Sequence, residues 1–169
     1  MRPGSSIDAV AAALEEESLD LGGMSSPDGA VTLLFTDSDE GTNHVEVVRQ
    51  LVDQHDGQVV KSEGRASMCS FASSHAGVRC AMALQRKLAG QLRAGLHTGF
   101  VMADESEFYG RNVVLAARIA EQARPGEILV SRAVREYTGT DPTFEFESQG
   151  EQHFKGLLGE HEVFAVAWS

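Results

Sequence analysis

The 169-residue sequence is poor in cysteine and has no long apolar run. Its two cysteines, Cys69 and Cys80, do not form a C-x-x-C pair, which excludes a disulfide scaffold and a cysteine-based zinc site but allows a single disulfide. The longest apolar stretch near the start, residues 9–14, is too short for a signal-peptide core or a membrane-spanning helix. We therefore expect a cytoplasmic protein that has no membrane partner.

Cationic side chains are also scarce. The chain has 14 Lys and Arg residues against 25 Asp and Glu residues, which gives a formal net charge of −11 at neutral pH. Because nucleic acids and anionic membranes attract basic surfaces, this balance argues against either as a partner, and a site for an anionic ligand must supply its cations locally. With 42% hydrophobic and 23% charged residues, the composition is typical of a folded globular protein.

The first 29 residues differ from the rest and are predicted to form a tail. The i, i+3, i+4, i+7 spacing of a short amphipathic helix is followed by Ile7, Val10, Ala11 and Leu14. Two glycines and a Ser-Ser-Pro-Asp-Gly stretch then predict a linker. Residues 30–169 are predicted to form a single domain.

That domain alternates between helical and strand patterns. Residues 30–36 are a nearly continuous apolar run, which is typical of a strand buried on both faces. Helical spacing is found at residues 44–55, 75–88 and 112–122, and strand patterns at residues 58–61, 67–71, 92–102, 127–130, 143–147 and 160–167. The order of these elements predicts an α+β fold, with a mixed parallel and antiparallel sheet and helices on one face.

Six segments of this domain occur in an order that is informative. They are residues 31–37 (VTLLFTD), 57–64 (GQVVKSEG), 95–99 (GLHTG), 109–118 (YGRNVVLAAR), 125–131 (PGEILVS) and 153–157 (HFKGL). Together they resemble the class III nucleotide cyclases, the family of adenylate and guanylate cyclase catalytic domains. The resemblance implies a ferredoxin-like βαββαβ fold and a head-to-tail dimer, in which each of two composite sites takes one half from each chain.

The resemblance also implies a chemistry, the conversion of a nucleoside triphosphate to a cyclic nucleotide and pyrophosphate. In the family, two carboxylates hold two metal ions, a lysine and an acidic residue read the purine, an asparagine orients the ribose, and an arginine stabilises the phosphate charge. By position, the matches are Asp37 for the first metal carboxylate, Lys61 and Glu107 for the purine, and Arg118 for the phosphate. Plainer roles also fit, namely a turn cap for Asp37, an exposed strand lysine for Lys61, and a structural ion pair for Arg118.

Three positions depart from the family pattern. Arg65 stands in place of the second metal carboxylate, and a guanidinium close to Asp37 is expected to pair with it and to compete with Mg²⁺. Val114 stands in place of the ribose asparagine, which it cannot replace because valine has no hydrogen-bonding group, and Asn112 lies two residues earlier. Glu107 is a longer acid than the usual aspartate.

The stretch between Asp37 and Lys61 is about one helix shorter than in the family, and this loss is expected to leave apolar surface uncovered. The stripe of the N-terminal helix is suited either to cover that surface or to dock on a partner chain. The six histidines show no metal-binding spacing, and His97 is expected to be structural.

These observations predict a nucleotide-binding or regulatory domain in cyclic-nucleotide signalling, with absent or very weak cyclase activity. In such a domain Arg65, Lys61 and Arg118 are expected to hold a phosphate without a metal, since guanidinium is a good phosphate partner. Two alternatives are a working divergent adenylate cyclase, in which Glu63 or Asp39 supplies the missing carboxylate, and a non-catalytic partner that completes a site on another cyclase. The expected ligand is ATP or another purine nucleotide, and the expected assembly is a homodimer or a heterodimer with another cyclase. The expected cofactor is Mg²⁺ or Mn²⁺ for an active enzyme, and none if the missing carboxylate prevents metal binding.

Overall fold

The computed structural model describes residues 6–17, 29–38, 44–100 and 109–169. Its helices are α1 (Ser6–Glu17), α2 (Val45–Gln54), α3 (Ser74–Lys87), α4 (Val114–Gln122) and α5 (Arg132–Thr138), and a π-helical turn, Tyr109–Val113, leads into α4. Its strands are β1 (Ala30–Ser38), β2 (Gln58–Glu63), β3 (Ala66–Phe71), β4 (Leu92–Phe100), β5 (Ile128–Ser131), β6 (Phe146–Gln152) and β7 (His161–Val166).

These strands form one sheet in the order β2-β3-β1-β4-β5-β7-β6. β4 and β5 are parallel, and the other neighbouring pairs are antiparallel. The first four strands, with α2 and α3 between them, have the βαββαβ order of a ferredoxin-like fold. The predicted α+β class and the mixed sheet are therefore confirmed.

The central strand β1 is buried on both faces, as its apolar run predicts. Because successive side chains of a strand point to opposite faces, Leu34 packs with α2 and α3, whereas Leu33 and Phe35 pack with α1 and α4. Helices thus lie on both faces of the sheet, whereas the sequence predicted helices on one face only. The difference arises because α1 and α4 carry apolar side chains of their own, which they bury on the second face. We call this second face the α1 face.

The helix α1 packs firmly on the sheet. Ile7 is 2% exposed and Val10 is fully buried, and both belong to the cluster that contains Phe35 and Met68. Of the two roles expected for the apolar stripe, the structure shows the helix covering the sheet of its own chain. The side chain of Leu14, the last member of the predicted stripe, lies outside the described residues.

A close contact fixes α4 on the same face. A Cβ atom on Gly95 of β4 would lie 2.4 Å from the backbone nitrogen of Ala120, so glycine allows the helix backbone to approach the strand directly. Ala116, Ala117 and Ala120 are buried along this side of α4. The position of every side chain on α4, including Arg118, is therefore set by backbone-to-backbone packing.

Two element boundaries differ from those predicted. The strand expected at residues 143–147 begins at Phe146, because the Asp141 carboxylate accepts a hydrogen bond from the backbone N–H of Thr143 at 2.9 Å and holds a turn there. The helix expected from residue 112 begins as an α-helix only at Val114, after the π-helical turn.

Two further sequence expectations concern a disulfide and membrane-spanning helices. Cys69 and Cys80 are both free and buried, so the single disulfide that the sequence allowed is not formed. Within the described ranges, none of the helices combines the length and the apolar character that a membrane crossing requires.

Candidate functional site

Asp37 lies near the end of β1 and, two residues after Phe35, on the α1 face. Its carboxylate accepts a hydrogen bond from the backbone N–H of Ser38 at 2.9 Å. Arg93 stands directly opposite Asp37 on β4. Oppositely charged cross-strand neighbours attract, so Arg93 is a cationic neighbour of the Asp37 carboxylate. The sequence analysis did not predict this neighbour.

Arg65 occupies the tip of the hairpin between β2 and β3. Gly64 and Arg65 form its turn, with Gly64 in the left-handed region at a φ of 59°. The side chain of Arg65 is exposed and makes no ion pair with another described residue. The predicted pairing of Arg65 with Asp37 is therefore not found in the described part of the chain. Arg65 is thus an exposed cation at the position where the sequence predicts the loss of a metal carboxylate.

Lys61 lies on β2 opposite Met68, so both side chains belong to the α1 face. Its Nζ atom is 4.0 Å from Oε1 of Glu63, and its side chain is 26% exposed. Glu63 lies opposite Ala66 of β3, so β3 separates it from the strand of Asp37. Two strand spacings amount to about 10 Å, which is a long reach for a carboxylate that is to share a metal with Asp37.

The described residues do not fit a pair of divalent metal ions. Two catalytic ions lie about 4 Å apart and are bridged by carboxylate oxygens. Of the two matched positions, one is Asp37 and the other is the cation Arg65. No group of three or more His, Cys, Asp or Glu side chains able to hold a metal is found among the described residues. Asp39, the second candidate for the missing carboxylate, lies outside the described residues, as does Glu107.

The residue predicted to replace the ribose asparagine is apolar, and the side chain of the nearby Asn112 bonds to His97. Val114 is the first residue of α4 and is partly buried. Oδ1 of Asn112 accepts a hydrogen bond from Nε2 of His97 at 2.9 Å. Gly99 makes room for this contact, since a Cβ atom there would lie 2.4 Å from the Asn112 side chain. Asn112 therefore does not compensate for Val114 in this arrangement.

His97 is the centre of a buried network. Burial lowers the pKa of His97 to about 4, so its ring is neutral at neutral pH and carries one N–H. Because Oδ1 of Asn112 is an acceptor, that proton lies on Nε2, and Nδ1 accepts from the Ser131 hydroxyl at 2.8 Å. Ser131 in turn accepts from the backbone N–H of Val134 at 3.4 Å. The network joins β4 to the beginnings of α4 and α5, which agrees with a structural role for His97.

Arg118 extends from α4 between two carboxylates. Its Nη1 donates to Oε1 of Glu121 at 2.9 Å and to Oδ1 of Asp8 on α1 at 3.3 Å. The Arg118 side chain is 28% exposed, and the Glu121 side chain is 11% exposed. Burial raises the pKa of Glu121, the hydrogen bond from Arg118 opposes this rise, and the charge of Asp8 adds to it. Sequence reasoning allowed Arg118 an ion-pair partner but did not identify Asp8.

A cleft of about 770 Å³ lies beside the His97 network. Its described lining combines both signs of charge and includes Arg111, Asn112, Leu115, Arg132 and Glu160. Asp37, Lys61 and Arg118 are not among the described residues that line it. The cleft is thus lined by residues of several motif segments, among them His97, Asn112 and Ser131, but not by the residues matched to the metal, the purine or the phosphate.

Comparisons with known proteins identify the family of the chain. The family model of the adenylate and guanylate cyclase catalytic domain matches residues 38–167. A putative adenylate cyclase of Rhizobium meliloti is 32% identical over 135 residues, which cover 73% of this chain and 23% of that protein. The pH-sensitive adenylate cyclase of Mycobacterium tuberculosis is 33% identical over 79 residues, which cover 45% of this chain and 20% of that protein. The chain thus spans less than a quarter of the length of these curated relatives.

Solved structures show the same fold. The adenylyl cyclase CyaB from Pseudomonas aeruginosa superposes with a TM-score of 0.70 at 16% identity, covering 83% of this chain and 94% of that chain. An adenylate cyclase from Trypanosoma brucei, solved in its monomeric state, gives a TM-score of 0.70 at 21% identity and covers 83% of this chain and 90% of that chain. The helix α1 precedes the residues that the family model matches.

Proposed function

The chain belongs to the family of adenylate and guanylate cyclase catalytic domains, and we propose that it is a regulatory member that binds a purine nucleotide but cyclises it very slowly or not at all. The proposal rests on one observation: the cationic half-site keeps its matched residues, whereas the metal half-site has lost one of its two carboxylates. The cationic half keeps Lys61 and Arg118, both on the α1 face. The metal half keeps Asp37 but has Arg65 in place of its second carboxylate.

The metal half is the one that the chemistry needs most. Cyclisation requires the ribose 3′-hydroxyl to attack the α-phosphate while negative charge develops on the phosphate oxygens. Two carboxylates offer a charge of −2 to the metal pair, whereas Asp37 and Arg65 together offer none. Val114 adds a second loss, because it gives no hydrogen bond to the ribose, and a single such transition-state contact is worth roughly 10²–10³ in rate.

The cationic half is sufficient for binding without a metal. Guanidinium and ammonium groups both bind phosphate, and Arg118 retains partial exposure on α4. The nucleotide that we favour is ATP, since Lys61 together with the acid Glu107 suggests an adenine contact. In this proposal the two half-sites come from different chains, so a homodimer presents two equivalent nucleotide sites.

Calorimetric titration with ATP, with and without Mg²⁺, tests this proposal. The comparison uses Arg118→Ala and, as a matched control, Arg49→Ala, which removes an exposed arginine on α2. We expect Arg118→Ala to weaken ATP binding about tenfold or more, Arg49→Ala to leave it unchanged, and Mg²⁺ not to strengthen it. Equal affinities of the two variants, or an affinity that depends on Mg²⁺, would contradict the proposal.

A second candidate function is that of a partner that completes a site on another cyclase. The same retention of Lys61 and Arg118 favours it, because a composite site needs these residues from only one of its two chains. Addition of this protein to a cyclase from the same cell would then raise the rate of that cyclase, and Arg118→Ala would abolish the increase. The absence of any increase would remove this candidate.

A third candidate is a working divergent adenylate cyclase. Glu63 favours it, because the side chain lies on the α1 face, as Asp37 does. Product formation that is lost in Glu63→Gln and in Asp37→Asn would support it. Product formation that is unaffected by Asp37→Asn would exclude the metal mechanism on which this candidate depends.

A further inference from the structure

The helix α1 lies before the residues that the family model matches, as most of β1 also does. The family match begins at residue 38, whereas α1 comprises Ser6–Glu17. The helix is part of the core, since Ile7 and Val10 are 2% and 0% exposed. Burial of these aliphatic side chains removes apolar surface from water and so favours the docked position of α1.

The place that α1 occupies is the neighbourhood of Arg118. Ile7 and Val10 share one cluster with Met68 of β3 and with Ala117, the residue before Arg118 on α4. Lys61 lies on the same face of the sheet, opposite Met68. The helix thus covers the face from which both cations of the proposed nucleotide site extend.

The charges at this contact favour closure and disfavour an incoming anion. Nη1 of Arg118 donates to both Glu121, at 2.9 Å, and Asp8, at 3.3 Å. Glu121 belongs to the same helix as Arg118, whereas Asp8 is brought to it by α1 over a separation of 110 residues. Two carboxylates on one guanidinium leave a local charge of −1 when both are ionised. A phosphate that approaches Arg118 therefore meets repulsion and competes directly with the Asp8 carboxylate.

We propose that α1 is an intramolecular latch, in which the Asp8 carboxylate occupies the position on Arg118 that a nucleotide phosphate takes when the helix moves away. The inference rests on the proposed nucleotide-binding function and adds a mode of regulation to it. Closing the latch pairs Nη1 of Arg118 with Asp8 and buries Ile7 and Val10. Opening it removes the Asp8 carboxylate from Arg118, which keeps its bond to Glu121, and uncovers the α1 face.

The test measures ATP affinity and hydrogen exchange of the α1 amides in the full chain. Asp8→Asn removes the competing charge with almost no change in shape. Asp53→Asn, at an exposed position on α2, is the matched control. Ile7→Ala weakens the docking of α1 without altering any charge. It therefore tests the movement of the helix independently of the Asp8 side chain.

The latch predicts that Asp8→Asn and Ile7→Ala each bind ATP about five- to tenfold more tightly than the native chain, whereas Asp53→Asn does not. It also predicts that ATP accelerates hydrogen exchange of the α1 amides in the native chain, because the helix must move away. A helix that only fills space would give unchanged or slower exchange.

The outcomes separate this inference from the proposed function. If ATP binds the native chain through Arg118 but neither Asp8→Asn nor Ile7→Ala changes its affinity, the latch is overturned and the nucleotide site stands. If ATP slows the exchange of the α1 amides, the latch is likewise overturned. If ATP binds neither the native chain nor Asp8→Asn, the nucleotide site itself is overturned, and the latch with it.

Discussion

Nε2 of His97 donates a hydrogen bond to Oδ1 of Asn112 across 2.9 Å, and this bond holds the amide two residues before Val114, the residue predicted to replace the ribose asparagine. Moving Asn112 to a substrate would leave the buried ring N–H of His97 without an acceptor, which costs about 1–3 kcal/mol. The apolar character of position 114 is therefore not corrected by its neighbour. The bond instead secures the beginning of α4, which carries Arg118.

The fit between Gly99 and Asn112 gives a first prediction. Gly99→Ala places a Cβ atom 2.4 Å from the Asn112 side chain, and we expect a loss of about 2 kcal/mol in the free energy of unfolding. In an Asn112→Ala background the same substitution has room and should cost much less. Urea denaturation of the two single variants and the double variant measures this coupling, and strictly additive losses would contradict the contact.

The burial of His97 predicts a pH dependence of stability. The folded-state pKa is lowered to about 4, whereas the unfolded chain takes up the proton near the ordinary value of 6.5. Stability from this group is fully present above pH 6.5 and is lost as the pH falls toward 4, because the unfolded chain then binds more protons. The total is about 3 kcal/mol.

Comparison of His97→Gln with His153→Gln isolates this contribution. Carboxylates titrate in the same range in every variant, so the informative quantity is the difference from the native chain. Replacing His97 should flatten the decline of the unfolding free energy between pH 6.5 and 4, and replacing the exposed His153 should not. Identical pH profiles for both variants would show that His97 does not remain neutral when the chain is folded.

Removal of α1 gives a third prediction. A chain that begins at Asp28 lacks Ile7 and Val10 and exposes Phe35 and Met68, so we expect it to lose about 3 kcal/mol of stability. A chain that lacks only residues 1–5 keeps the helix and serves as the control. Thermal unfolding and sedimentation follow stability and association together. An unchanged Tm and oligomeric state for the shorter chain would show that α1 does not contribute to the fold.

Much of this fold was predictable because the signals are local. The apolar run of residues 30–36 predicts a strand buried on both faces, and the spacing of Ile7, Val10 and Ala11 predicts the face that α1 buries. The ordered motifs predict the family, which the family match confirms. A signal for the second helical face was also present: Gly95 and Gly99 lie on one side of β4, where glycine permits close approach by another element.

The contacts around the candidate site could not be read in this way. Asp8 and Arg118 are 110 residues apart, and no pattern along the chain pairs them. Arg65 and Asp37 were expected to pair because the resemblance places their counterparts at one metal site, but Arg65 is exposed at a hairpin tip. Arg93 acquires its place opposite Asp37 only through the register of β1 with β4. Strand register and long-range pairing depend on the tertiary structure, and no local pattern in a single sequence predicts them.

The most direct test of the account is a cyclase assay with Mn²⁺ and ATP or GTP at high protein concentration, with the product identified by mass spectrometry. The native chain is compared with the double variant Arg65→Asp/Val114→Asn, and both are also tested with Asp8→Asn added to open the latch. The account predicts no detectable cyclic nucleotide from the native chain and measurable product from the double variant. Cyclic nucleotide from the native chain at a rate similar to that of the double variant would contradict the loss of the metal half-site.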